Sequence, residues 1–134
     1  MRWVLIKDKL PSHQNLWRSV YKREQLEKDG TLKPGFFKDK RGLSSDLSIL
    51  SKPQKSRRGY SNPPAWPEES GLIEFTIHAV RKCSRKTLDV KHHPMSETKN
   101  YSHTIFTGPA STEQARNLIK KSKWINKASF PSND

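Results

Sequence analysis

The sequence predicts a single α+β domain, a mainly antiparallel sheet with one amphipathic C-terminal helix packed on it. Three observations carry this. Short apolar runs recur along the chain, the clearest alternating with a period of two, and Gly, Pro, Asn and Asp separate them. That is the pattern of half-buried strands joined by turns. From Ser111 onward the apolar residues instead repeat at helical spacing behind a capping pair. A length of 134 residues suits one domain. Hydrophobic residues make up only 31% of the chain, yet it holds 4 Trp, 5 Phe and 3 Tyr. That is too aromatic for a disordered basic chain, so a small core with long solvated loops is expected. The domain is assigned to residues 1–127, with a flexible loop at about 51–70 and a frayed tail over 128–134.

The elements follow in order. Trp3 to Ile6 reads as a short first strand, stopped by Pro11 and Ser12. Leu16 to Tyr21 is aromatic and β-branched and reads as a strand. Lys22 to Lys28 suits one or two helical turns, and Asp29-Gly30 and Pro34-Gly35 are turn signals. Phe36 and Phe37, if on a strand, face opposite ways. In Gly42 to Leu50 the alternation of Leu43, Leu47 and Ile49 predicts a half-buried strand, which Asp46 weakens. Residues 51–70 carry Pro53, Pro63, Pro64 and Pro67 and read as a long loop, of the kind that is functional or disordered. Tyr60 and Trp66 within it suit either stacking on bases or pinning the loop to the core.

Gly71 to Val80 is the best-patterned strand, with Ile73, Phe75, Ile77 and Ala79 on one side; a helix of that length fits the same run. A basic turn, a short strand at Leu88 to Lys91 and a strand at Ser102 to Thr107 follow. The final helix starts behind Ser111 with Gln114 three residues on, a capping box. Ala115, Leu118, Ile119, Ser122 and Ile125 form its apolar face, and Arg116, Lys120, Lys123 and Lys127 its basic one.

Charge sets the functional expectation. The chain has 26 Lys+Arg against 13 Asp+Glu, a formal net of +13. The excess is distributed: 15 basic against 8 acidic side chains over residues 1–70, and 11 against 5 over 71–134. The folded body itself is therefore positive, the footprint of a nucleic-acid binder acting through phosphates. The expected contacts are Lys52, Lys55, Arg57 and Arg58 in the loop, Arg81, Lys82, Arg85 and Lys86 in the basic turn, and Arg116, Lys120 and Lys123 on the last helix. RNA and DNA are equally compatible, since no helix-turn-helix, zinc-finger or RNA-recognition signature is present.

Cys83 is the one cysteine, so no internal disulfide or cysteine-based zinc site can form, which fits a reducing, cytoplasmic setting. No apolar run approaches a membrane span, and the apolar start is too short for a signal sequence. The spacing of His13, His78, His92, His93 and His103 matches no standard metal pattern. No motif implies a cofactor, for there is no Gly-rich phosphate loop, serine elbow or acidic metal cluster. His103, at the start of a strand, suits either general acid–base work beside cations or a structural hydrogen bond.

Leu16-Trp17-Arg18, Gly42-Leu43-Ser44, Asn100-Tyr101-Ser102-His103 with Gly108, and Trp124 near the end resemble a family of small, mostly uncharacterised bacterial proteins. Where that family often has Asn-Pro-Ala-His, this chain has Asn-Tyr-Ser-His. The resemblance implies a bacterial cytosolic setting and brings no assigned reaction. The chain also resembles the ADP-ribosyltransferase fold, which holds NAD with an arginine on its first strand and a serine on a central one. Arg18 and Ser44 match those two positions, while the late glutamate has no match, Glu97 and Glu113 lying in other settings. The leading expectation is thus a nucleic-acid-binding protein. Its alternatives are a small enzyme acting on RNA, DNA or a nucleotide through Arg18, Ser44 and His103, and an accessory subunit docking its basic face on an acidic protein partner.

Overall fold

A computed structural model describes residues 4–38, 42–83, 89–107, 109 and 111–131. Six strands form one antiparallel sheet: β1 (Asn15–Val20), β2 (Leu43–Leu47), β3 (Gly71–Thr76), β4 (Lys91–His92), β5 (His103–Phe106) and β6 (Lys123–Asn126). Their order is β4-β5-β2-β1-β3-β6. Three helices, α1 (Pro53–Arg58), α2 (Ile77–Lys82) and α3 (Thr112–Lys121), complete the α+β fold.

Register explains which side chains meet. Leu16 lies opposite Leu47 on β2 and Phe75 on β3, and Leu43 opposite Phe106 on β5. Directly opposed residues share a face, so these line one side of the sheet. Phe36, Phe37, Phe75 and Phe106 form an edge-to-face chain there, with centroids 4.9, 5.2 and 6.1 Å apart in succession. Such aromatic pairs add to simple burial. Ala115 and Leu118 of α3 close this core. The second face carries Trp17, Ser19, Ser44, Asp46 and His103, by the same register. It is covered by α1, whose Arg57 carbonyl accepts the Ser19 hydroxyl at 2.6 Å.

Several expectations change. Residues 4–6 form no strand; Trp3 lies outside the described residues. The Ile6 amide donates to His92 Nδ1 at 2.9 Å, and the Tyr101 hydroxyl donates to the Val4 carbonyl. Pro34–Phe37 is a 3-10 turn rather than a strand, so both Phe36 and Phe37 enter the core. β2 ends at Leu47 in a 3-10 turn, leaving Ile49 70% exposed. The 51–70 loop contains α1, whose first residue is Pro53, a helix position proline favours. It ends on Gly59 at φ +95°, a left-handed conformation that suits glycine. The run at 71–80 splits, because the Thr76 hydroxyl accepts the Ala79 amide and caps α2.

The last helix shows its expected capping box, with Ser111 Oγ accepting the Gln114 amide at 3.1 Å. It stops before the predicted end. The Ser122 hydroxyl turns back to the Ile119 carbonyl at 2.7 Å, and Lys123–Asn126 pairs with the open edge of β3. Trp124 then joins the core, whereas Ile125 faces out. The start of the tail is anchored. The Ser129 amide donates to the Glu69 carbonyl at 2.8 Å, and Ala128 and Phe130 pack on the core. Residues 132–134 lie outside the described residues.

Candidate functional site

β1 and β2 pair at Leu16–Leu47 and Trp17–Asp46 only. Beyond that point a cavity of about 350 Å³ opens. Trp17, Ser44, Asp46 and His103 contribute from the strands, and Lys55, Tyr60 and Trp66 from α1 and the chain that follows it. Met95, Thr98 and Asn100 close the remaining side. Tyr21 stacks on Trp66 at 4.9 Å and 11°, which fixes the wall and meets the pinning role weighed for that tryptophan.

The three candidate catalytic residues, Arg18, Ser44 and His103, all line this cavity. They reach it differently. Arg18 opposes Ile73 on β3, which directs its side chain to the core face, whereas His103 opposes Asp46 on the other face. The Arg18 guanidinium donates from Nη1 to the Ser44 carbonyl at 2.6 Å and from Nη2 to the Phe36 carbonyl at 3.4 Å. It lies over the Phe36 ring at 4.8 Å. Arg18 also lines a second cavity of about 470 Å³ with Phe36 and Leu43, so it stands at the seam between the two. Ser44 takes part through its carbonyl, and its side chain is exposed.

His103 is 6% exposed. Its Nδ1 sits 2.7 Å from the His93 carbonyl; a carbonyl only accepts, so Nδ1 carries the proton. Nε2 makes no hydrogen bond among the described residues and is left as an acceptor. Burial holds the imidazole below its ordinary range, although the His93 carbonyl and the Asp46 charge favour the protonated ring. A neutral imidazole with an open acceptor nitrogen is equipped to take a proton. His92 is engaged at both nitrogens, with the Ile6 amide and the Tyr101 carbonyl.

Asp46 belongs to the site and sequence reasoning passed over it. It is 8% exposed. Oδ1 accepts from Asn100 Nδ2 at 2.9 Å and Oδ2 from Ser56 Oγ at 2.7 Å. Ser51 Oγ then lies 2.6 Å from both Ser56 Oγ and the Tyr60 hydroxyl. The signal was partial: Ser44 and Asp46 fall on the strand face opposite to Leu43 and Leu47, a face that is polar in sequence.

The eleven basic contacts divide. Arg57 is buried and structural: Nη1 donates to the Glu68 carbonyl at 2.5 Å and the Ser70 carbonyl at 2.8 Å, while Nε and Nη2 reach Gln54 Oε1. Arg58 pairs with Glu68 at 2.7 Å, Arg81 with Asp89 at 3.0 Å, and Lys123 with Glu74 at 3.3 Å. Lys123 lies on β6, not on the helix shared by Arg116 and Lys120. Arg85 and Lys86 lie outside the described residues. Lys52, Lys55, Lys82, Arg116 and Lys120 are exposed with no ion pair among the described residues. They do not make one stripe, because α1 and α3 cover opposite faces of the sheet.

No helix among the described residues is long and apolar enough to cross a membrane. No protein-family model, no curated protein and no solved structure matches the chain.

Proposed function

We propose that the protein binds a nucleotide in the cavity beside β1, β2 and β5 and acts on it. The observation that carries this is one cavity gathering a guanidinium, three aromatic rings and a buried neutral imidazole: Arg18, then Trp17, Tyr60 and Trp66, then His103. About 350 Å³ falls at the small end of ligand pockets and suits part of a nucleotide. Aromatic faces stack on a base or nicotinamide ring. Arg18, at the seam of the cavity with its guanidinium donating to the Ser44 and Phe36 carbonyls, contributes positive charge at the rim, and His103 Nε2 is the group able to take a proton. The resemblance to the ADP-ribosyltransferase fold selects NAD as the first ligand. In that resemblance Arg18 and Ser44 match the arginine and the serine that hold NAD, and the Arg18 guanidinium donates to the Ser44 backbone carbonyl.

The test is calorimetric titration with NAD, ADP-ribose and AMP, alongside incubation with NAD and labelled RNA to detect products. Binding in the micromolar range is expected. His103→Ala should spare affinity and lower turnover by about 10²–10⁴-fold, the usual contribution of a general acid or base. No binding of any of the three at millimolar concentration overturns the reading.

A second reading, nucleic-acid binding through phosphates, keeps its support from the +13 charge and from Lys52, Lys55, Lys82, Arg116 and Lys120, exposed and without an ion pair among the described residues. It predicts that log affinity for nonspecific DNA or RNA falls with log salt, by roughly 0.7–0.9 for each phosphate contact. A flat response removes it.

A further inference from the structure

Hydroxyl protons can be counted along the chain of contacts that leaves Asp46. A carboxylate donates nothing, so the 2.7 Å contact uses the Ser56 proton. Ser56 then has none left for Ser51, 2.6 Å away, and that contact uses the Ser51 proton. Ser51 in turn has none left for the Tyr60 hydroxyl, also 2.6 Å away, so Tyr60 donates there. Oxygens this close need a proton between them, so the Lys52 carbonyl at 3.4 Å does not draw the Ser51 proton away. The three contacts consume the three protons, and all of them point toward Asp46.

The other side of the network is fixed as well. The Ser102 amide, which only donates, meets Asn100 Oδ1 at 3.1 Å, so Nδ2 is the Asn100 atom on Asp46. The Ser102 hydroxyl lies 2.6 Å from the same Oδ1 and 3.5 Å from the Tyr60 hydroxyl, so its proton goes to Asn100. The Tyr60 oxygen thus has its proton spent and a lone pair with no short donor among the described residues. Tyr60 lines the cavity with Asp46, Ser56 and Asn100 of the same network, beside Trp17 and Trp66.

We infer that Tyr60 determines specificity as an acceptor-only group, with Asp46 as the positioning residue that fixes its direction. Resting on the nucleotide reading above, the group it selects is the exocyclic amine of a base, adenine or cytosine. The base is the part of a nucleotide that stacks among aromatic rings, and the amine is a donor on its edge. A base without that donor leaves the Tyr60 acceptor desolvated and unpaired. Asp46→Asn reverses the chain. The substituted side chain turns its oxygen to Asn100 Nδ2 and its amide to Ser56; Ser56 then donates to Ser51, Ser51 to Tyr60, and the Tyr60 proton is released to the ligand.

The experiment is calorimetry on the full chain with two ligand pairs, each differing only in the amine: AMP against purine riboside 5′-monophosphate, and CMP against 2-pyrimidinone riboside 5′-monophosphate. The wild type should bind the aminated member of at least one pair about three- to tenfold more tightly. Tyr60→Phe removes only the last oxygen of the chain and leaves the other protons in place, and it should bring that ratio to about one. Asp46→Asn should bring the ratio to one or below with the Tyr60 ring intact. Equal binding within both pairs by the wild type, or a preference that survives Tyr60→Phe, overturns the assignment while the nucleotide site stands. A preference unchanged in Asp46→Asn overturns the positioning role of Asp46. Failure of all these ligands to bind at millimolar concentration overturns the nucleotide reading and this inference with it. If Asp46→Asn does not fold, Ser51→Ala decides: it removes the acceptor that holds the Tyr60 proton and should also level the ratio, and an unchanged ratio refutes the assignment.

Discussion

Arg57→Ala separates a structural cation from a ligand-binding one. The Arg57 side chain is the tie between α1 and the chain leading to β3. It donates to the carbonyls of Glu68 and Ser70 at 2.5 and 2.8 Å and to Gln54, while its residue as a whole is 7% exposed. A hydrogen bond from a charged group contributes about 1.5–3 kcal/mol. The two carbonyl bonds alone therefore amount to roughly 3–6 kcal/mol. Water can reach the Glu68 side, where the carboxylate is 69% exposed, so the lower end of that range, about 3 kcal/mol, is the expected loss. In a domain of this size that corresponds to a melting temperature about 10 °C lower. Circular dichroism melts and urea unfolding read it directly. Arg57→Lys, which keeps the charge but not the fork, should recover only part of the loss. The reasoning is refuted if Arg57→Ala melts within about 2 °C of wild type, and doubly so if that variant also loses affinity for nucleic acid.

Three other outcomes are expected. Gly71→Ala would set a Cβ 2.6 Å from the Ala128 nitrogen and 2.9 Å from the Asn126 carbonyl oxygen; the resulting overpacking should cost about 1–3 kcal/mol, and an unchanged melt would mean that β6 yields freely. His103 has a lowered pKa when folded against an ordinary value of 6.5, so its contribution to stability is held above that pH and lost as pH falls below it; urea unfolding between pH 7 and 5 should show a shallower loss in His103→Asn, and equal slopes in both proteins contradict the assignment. Arg116 and Lys120 are exposed on α3, so changing both to Ala should leave the melt within about 0.5 kcal/mol and reduce the salt slope of nucleic-acid binding by roughly two contacts.

Local pattern carried much of the sheet. Leu16 to Val20 and His103 to Phe106 are strands with β-branched and aromatic content, and in Leu43 to Leu47 the spacing of the two leucines alone carried the reading. The capping pair Ser111 and Gln114 started α3 where expected. Boundaries failed where two periodicities fit the same residues. Ile77 and Ala79 satisfy a strand face together with Ile73 and Phe75, yet with Val80 they also bury one side of α2, and the Thr76 cap decides between them. Lys123 to Asn126 satisfied helical spacing until an unpaired edge of β3 offered ladder hydrogen bonds. Neither the cap's geometry nor the open edge is a local property of those residues.

Charge was the least local signal of all. The composition shows 26 basic side chains but not which are spent inside. Arg57, Arg58 and Arg81 sit in the same kind of polar, Pro- or Lys-rich sequence as Lys52, Lys55 and Lys82. What distinguishes the arginines is the forked guanidinium, which satisfies several carbonyls or a carboxylate at once, whereas lysine offers a point charge better left in water. Arg57, Arg58 and Arg81 therefore bind the fold, and Lys52, Lys55 and Lys82 remain exposed. Asp46 is the acidic counterpart. A single aspartate inside a β-patterned run reads as a weak spot, because aspartate disfavours strands. Its carboxylate, however, is anchored by Ser56 of α1, ten residues on, and by Asn100 from beyond β4, 54 residues on. A polar residue that local propensity disfavours, retained on a covered strand face and lacking a cation, is a conflict between local and global preference of the kind that concentrates at functional sites. That conflict, more than the net charge, directs attention to the cavity beside β1 and β2.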